Sequence, residues 1–336
     1  MLEEALQAPK AVARQLSADR DAVAALGAAL RAQPPQAMLT VARGSSDHAA
    51  HYMAYLVMAR LGRLVTSLPM SLITLYQSRL QCEGLTSLAF SQSGQSPDLV
   101  APMRFFRAGG ARTVAFVNDA QSPLAQASEW VFALHAGAET SVAATKSYIA
   151  QLTAGARLVA QWQNDVQLMD ALQHLPDALE QAAQQDWRAA VDALARADRL
   201  FVIGRGTGLA IAMEAALKFK EVCGIQAEAF SGAEVKHGPM ALVEEGYPLL
   251  VFAPRGPAQP GLLALAEEMR RRGARVLLAA PAGTAGAQLP LVNTLSEDLD
   301  PVSAVQSFYP MVEALARARG LDPDQPRHLN KVTRTQ

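Results

Sequence analysis

Cysteine is nearly absent from this chain. Cys82 and Cys223 are its only two in 336 residues, far apart and outside any CxxC or Cys/His spacing. That excludes a disulfide framework and a structural zinc site. An excess of one charge is missing too: 30 Lys and Arg stand against 31 Asp and Glu, a formal net charge of -1. No basic field is available to hold nucleic acid or an anionic membrane surface, so basic groups must act locally. Long hydrophobic runs are lacking as well; stretches such as Pro248-Leu249-Leu250-Val251-Phe252 are far too short to span a bilayer. The start, Met1-Leu2-Glu3-Glu4, has no basic region leading into an apolar core, so no signal peptide is expected. Together these absences predict a soluble, reduced, cytoplasmic protein. Half of the residues are hydrophobic and 18% are charged, which suits a large packed core, and the length suits two domains.

An internal repeat organises the chain. Arg43-Gly44-Ser45 matches Arg205-Gly206-Thr207, and Leu88-Ala89-Phe90 matches Leu250-Val251-Phe252, both at an offset of 162 positions. Gly110-Ala111-Arg112 matches Gly273-Ala274-Arg275 at 163. Each copy alternates short apolar runs with longer helical stretches. The runs near 38–42, 87–91, 113–117, 200–204, 248–252 and 275–279 read as buried strands. Residues 46–61, 97–108, 208–222 and 261–272 show helical periodicity. Strand–helix–strand order with unalternating strands predicts an α/β protein whose parallel sheets carry helices on both faces. The polar, Gln-rich stretch from about 166 to 190, with Pro176, reads as the join between the halves. Expected domains are 1–175, 176–325 with the catalytic helix, and a tail, 326–336.

In the first copy the strand ending at Phe90 feeds Ser91-Gln92-Ser93-Gly94-Gln95-Ser96 into a helix start. Free backbone N–H groups, a helix dipole and serine hydroxyls together suit a phosphate without a dense cationic cluster. Gly44-Ser45-Ser46 supplies a second such turn, and in an open parallel sheet both would converge at the carboxyl edge. An ordinary N-cap accounts for any one of these serines alone. The second copy, however, reads Ala253-Pro254-Arg255-Gly256-Pro257 at the equivalent place, without serine. A purely structural need would have kept the serines in both.

In the second copy, Glu214, Lys218 and Glu221 fall at i, i+4 and i+7 on one helix face. A solvated stripe of ion pairs has the same spacing. The helix is otherwise apolar and follows a Gly-rich turn, which points the stripe at substrate space instead. His237 lies in a Gly/Pro-bounded loop, and an imidazole suits proton shuttling at neutral pH. His48 and His51 have only Asp47 nearby and read as helix-surface or packing residues, not metal ligands. Cys223 reads as a small core residue. The tail around Lys331 reads, from its residues alone, as an ordinary chain end.

Six blocks taken together resemble the sugar-isomerase (SIS) domain family over essentially the whole chain. They are Arg43 to His48, Ser91 to Ser96, Ala143-Ala144-Thr145-Lys146-Ser147-Tyr148, Ala216 to Glu221, Lys236-His237-Gly238-Pro239, and the tail at Lys331. The pattern is similar to the isomerase half of glutamine–fructose-6-phosphate aminotransferase and to stand-alone glucosamine-6-phosphate deaminases. The resemblance implies two tandem SIS domains, each a doubly wound, flavodoxin-like parallel sheet flanked by helices. It implies that a sugar phosphate is bound by Ser45, Ser46, Ser91, Gln92, Ser93, Ser96, Val142 and Thr145. It implies Glu221 as the base moving a proton between C2 and C1, supported by Lys218. His237 would open the sugar ring across the interface of a homodimer, and Lys331 would form a Schiff base with a keto sugar. Ala144 departs from the serine of the aminotransferase.

The expected activity is conversion of glucosamine 6-phosphate and water to fructose 6-phosphate and ammonia. Amine release, not synthesis, is expected because the chain begins almost directly with the first SIS domain, without a glutaminase. No metal and no cofactor are expected, since a carboxylate can take a proton from carbon next to a carbonyl or imine. The alternatives are ammonia-dependent synthesis, action on another amino-sugar phosphate, and, in a different class, a sugar-phosphate-sensing regulator. A sensor would need the serine loops but not Glu221, His237 and Lys331.

Overall fold

A computed structural model describes residues 1–331 of the chain. It contains two five-stranded, wholly parallel sheets. The first comprises β1 (Ala37–Val41), β2 (Val65–Ser67), β3 (Leu85–Ser91), β4 (Arg112–Val117) and β5 (Trp130–Ala133) in the order β2-β1-β3-β4-β5. The second comprises β6 (Arg199–Gly204), β7 (Gln226–Ser231), β8 (Pro248–Phe252), β9 (Arg275–Pro281) and β10 (Leu289–Leu291) in the order β7-β6-β8-β9-β10. The two orders are the same, as the repeat requires, and they are the flavodoxin-like order.

Burial explains why the central strands read clearly from the sequence. β3, β4, β8 and β9 are buried along nearly their whole length, covered by helices on both faces, so their residues are mostly apolar, with a few buried hydroxyls such as Thr86, Ser87 and Thr113. β2 and β10 have three residues each, and β7 is half exposed, so these strands carry no such run. The stretch expected to join the halves holds the passage from one compact unit to the other, between Gln173 and His174, and it is folded into two helices, Val166–Gln173 and Leu175–Ala183. Leu168, Leu172, Leu175 and Leu179 are buried on them. Pro176 breaks nothing because it lies in a first turn, where its missing N–H has no intrahelical partner to lose.

The chain forms two compact units. One holds the first sheet and comprises Lys10–Glu139, Lys146–Gln173 and, of the described tail, Asn330 and Lys331. The other holds the second sheet and comprises Met1–Pro9, Thr140–Thr145 and His174–Leu329. In the first unit, a core around Leu99, Met103, Phe106 and Val117 packs helix Pro97–Ala108 onto the sheet. In the second, Leu262, Leu265 and Met269 do the same for helix Gln259–Arg271. Phe219 and Phe308, with ring centroids 5.3 Å apart, join helices Gly208–Cys223 and Asp300–Ala318. At the end of β6, Gly204 has no room for a Cβ, because the backbone of Gly208 approaches there as the chain turns into its helix. No helix among the described residues is long and apolar enough to cross a membrane. Of the expected tail, residues 332–336 lie outside the described residues.

Candidate active site

In the first unit, β1 and β3 are neighbours where the strand order reverses, the usual place for a ligand crevice. The loops leaving their carboxyl ends meet in a cavity of about 300 Å³. Arg43, Gly44, Ser46, Ser91, Gln92, Ser93, Ser96 and Lys331 line it. Ser91 Oγ accepts a hydrogen bond from the Gly94 N–H at 2.9 Å, curling the loop back on its own strand. Gly94 has φ +65°, and a Cβ there would strike the Ser122 side chain, so the curl requires glycine. Ser96 is the N-cap of helix Pro97–Ala108, and Gly44 is the N-cap of helix Ser45–Leu61. Two helix starts therefore open at this cavity, each with backbone N–H groups free of intrahelical partners.

Ser46 Oγ accepts from Gln151 Nε2 at 3.0 Å, which leaves the serine's own proton available to a ligand. Ser45 is half-buried beside Ser46 but does not line the cavity. Lys331 lies 3.2 Å from Glu139 Oε2. Glu139 is buried and also accepts from the Ser147 hydroxyl at 2.5 Å and the Ser147 N–H at 3.2 Å. Sequence reasoning gave Glu139 no role. Its signal was an acid a few residues ahead of the Ala143–Tyr148 block. Val142 and Thr145 do not line this cavity. They belong to the segment Thr140–Thr145, which clusters with the second sheet, and Thr145 is fully buried there.

In the second unit, helix Gly208–Cys223 gathers the three charged residues that share its face. Lys218 Nζ pairs with Glu214 at 3.4 Å and more closely with Glu221. The Tyr309 hydroxyl, from helix Asp300–Ala318, donates to Glu214 at 3.3 Å. Burial opposes the charge on Lys218, but the carboxylates of Glu214 and Glu221 outweigh it and hold the ammonium above the ordinary lysine range. The sequence suggested that this stripe faces substrate space. Glu214 and Lys218 do not, because their side chains are 0% and 1% exposed and satisfy one another inside the protein. Glu221 does reach out, at 20% exposure. It lines a cavity of about 380 Å³ with Lys220, Asp322, Gln325, Arg327 and His328.

His237 follows the short turn Glu234–Lys236, is exposed, and does not line the Glu221 cavity. Cys223 is buried, and burial pushes its thiol up to about 12, in keeping with a core residue. His51 is pushed below the ordinary imidazole range by burial. Among the described residues no group of three or more His, Cys, Asp and Glu side chains is arranged to hold a metal ion.

A family model described as the SIS domain matches residues 34–160 and 193–281, most of both sheets. The chain belongs to the SIS domain family. It is 34% identical to the glutamine–fructose-6-phosphate aminotransferase of Symbiobacterium thermophilum, over 98% of this chain and 58% of that protein. Against the same enzyme of Aeropyrum pernix the identity is 34%, over 99% of this chain and 56% of that protein. The chain thus spans a little over half the length of these curated relatives. Among solved structures, a candidate phosphosugar isomerase from Silicibacter pomeroyi DSS-3 is 44% identical with a TM-score of 0.91, covering 96% of this chain and 99% of that one. The C-terminal domain of the Francisella tularensis glucosamine-fructose-6-phosphate aminotransferase, 24% identical, shares the fold with a TM-score of 0.85 and coverage of 97% and 98%. The serine cavity thus lies in the first SIS domain and the Glu214–Lys218–Glu221 cluster in the second.

Proposed function

We propose that the protein is an aldose–ketose isomerase of amino-sugar phosphates, and that it deaminates glucosamine 6-phosphate to fructose 6-phosphate and ammonia. The observation that carries this reading is the serine cavity with a lysine amine in its wall. Hydroxyls and helix-start N–H groups suit a phosphate monoester, and a primary amine beside them suits a carbonyl-bearing sugar.

In the proposed reaction the C1–O5 bond of the pyranose breaks, O5 gains a proton and C1 becomes an aldehyde. Glu221 then takes the proton from C2 while O1 gains one, and returns it at C1 as the amine nitrogen gives one up, leaving an imine at C2. Water adds to that carbon and ammonia departs. Lys218 suits the supporting role because its buried ammonium, kept charged by Glu214 and Glu221, lies directly against the Glu221 carboxylate and can hold it in place. His237, exposed on its loop, is proposed to act in ring opening across the interface of a homodimer. A cytoplasmic location belongs to the same reading.

The test is a coupled assay for ammonia and fructose 6-phosphate with pure protein and glucosamine 6-phosphate, beside other hexosamine 6-phosphates. Turnover of a different amino-sugar phosphate alone would overturn the named substrate. A second reading, the reverse direction with free ammonia, is favoured by the 34% identity to aminotransferases across nearly the whole chain. Glucosamine 6-phosphate accumulating from fructose 6-phosphate and ammonium, with no detectable release in the other direction, would select it.

A further inference from the structure

Arg43 stands in the motif that opens the first helix, yet neither the repeat nor the family resemblance gives it a task. It lines the serine cavity beside Ser46, Ser91, Ser93 and Ser96. Its Nε donates to Asp98 Oδ2 at 3.0 Å, and the two side chains differ sharply in exposure, 59% for Arg43 and 1% for Asp98. Asp98 sits in the first turn of helix Pro97–Ala108, directly behind the serine loop. Among the described residues it is the one partner of the Arg43 side chain.

A guanidinium held by its Nε edge keeps both terminal nitrogens for another acceptor, and that fork matches two oxygens of a phosphate. We propose that Arg43 binds the substrate's phosphate and supplies the positive charge that the serines lack, with Asp98 as its positioning residue. This inference rests on the phosphosugar reading of the cavity and adds a residue to it. The other cation in the wall, Lys331, already faces the buried carboxylate of Glu139, so its charge is largely spoken for. The second copy of the repeat is consistent. It keeps Arg205 in place of Arg43, but Pro260 stands where Asp98 would, and its serines are gone. The anchor and the serine loop occur together in the first copy and are missing together from the second.

A purely structural ion pair would make a different prediction, since its loss should lower thermal stability and leave anion affinity alone. The probe is inorganic phosphate, titrated calorimetrically into wild type, Arg43→Ala, Asp98→Asn and the double variant, with melting curves recorded in its absence. Arg43→Ala should weaken phosphate binding by about 10- to 100-fold, the usual worth of charge-assisted hydrogen bonds. Arg43→Lys should recover part of that, because it restores charge without the fork. Asp98→Asn should weaken binding less, and adding it to Arg43→Ala should cost nothing further, since Asp98 acts through Arg43. Unchanged phosphate affinity in Arg43→Ala, or in Arg43→Gln should the alanine variant not fold, overturns the role of Arg43. Wild-type protein that binds no phosphate at millimolar concentration overturns the phosphosugar reading itself, and this inference with it.

Discussion

After β3 the chain runs into Ser91–Ser96 and leaves an open cavity. After β8, at the same place in the same strand order, it runs into Ala253–Pro257, and there Arg255 fills the corresponding role with protein. Its guanidinium donates to both oxygens of Asp300, at 2.7 and 2.9 Å, and to the Thr294 carbonyl at 2.7 Å. Asp300 is 2% exposed and takes further bonds from the Thr294 N–H and hydroxyl. On the proposed reading one loop leaves hydroxyls and N–H groups for an anion, while the other carries its own anion and cation already matched. The helices that follow β1 and β6 differ in the opposite sense. Glu214, Lys218 and Glu221 correspond by the repeat offset to Tyr52, Leu56 and Ala59, which carry no charge. Under the proposed function, the phosphate-binding groups thus fall in the first copy and the proposed base Glu221, with its partners Glu214 and Lys218, in the second.

The largest effect should come from the ionisable half. Glu221→Gln keeps size and hydrogen bonding but removes the base, and should lower kcat by about 10²- to 10⁴-fold. Phosphate affinity should stay close to wild type because Glu221 lies outside the serine cavity, while the melting temperature should fall modestly because buried Lys218 loses one of its two carboxylates. Steady-state kinetics beside calorimetric titration checks both. Near-normal turnover would break the division between the copies, because the second SIS domain would then carry no chemistry.

The next effect tests the two loops against each other. Ser91→Ala with Ser93→Ala should weaken inorganic phosphate by about 10-fold or more, by loss of hydrogen bonds to a charged ligand. It should hardly move the melting point. Arg255→Ala should do the reverse. It strips Asp300 of its cation while leaving the Thr294 bonds, so it should cost roughly 2–3 kcal/mol of stability at unchanged phosphate affinity. A phosphate affinity that falls in Arg255→Ala would mean that the two loops are not separate in function.

How much of this contrast could be read from the sequence depends on the distance over which each feature is encoded. The central strands are written locally as short, mostly apolar runs, and the i, i+4, i+7 charges follow from helix geometry alone. The missing serines after β8 were visible as well. What fills their place was not, because Arg255 and Asp300 are 45 residues apart and no local pattern couples them. The same holds for Arg43 with Asp98, 55 residues apart, and for Glu139 with Lys331, 192 apart. The short edge strands β2 and β10 escaped notice for a different reason. With three residues each they contribute too few side chains to the core to leave a periodic signature. The stretch after Val166 reads as the join between the halves, but its two helices go unread because its glutamines draw attention away from leucines spaced for burial on one face.

The smallest effect concerns Tyr309, and it asks how finely the second copy's buried cluster is balanced. Lys218 shares one ammonium between two carboxylates, and the Tyr309 hydroxyl supplies Glu214 with a donor of its own. Tyr309→Phe removes that donor without altering the ring's packing. Glu214 is fully buried, so it must then lean harder on Lys218, at the expense of the contact with Glu221. A single hydrogen bond to a buried charged acceptor suggests a loss of about 1–2 kcal/mol, and turnover should fall by no more than about 10-fold. Neutral pH is the place to measure it. The folded pKa of Lys218 is raised, so the stability it contributes is complete below the unfolded lysine value and is lost only as pH rises through the folded one. Chemical denaturation and kcat at pH 7 should therefore move together in Tyr309→Phe, with KM unchanged. A loss of stability with full turnover would make Tyr309 a packing residue whose bond to Glu214 does not reach the base. If neither quantity moves, Glu214 is held well enough without the Tyr309 hydroxyl, and that bond does not reach the base.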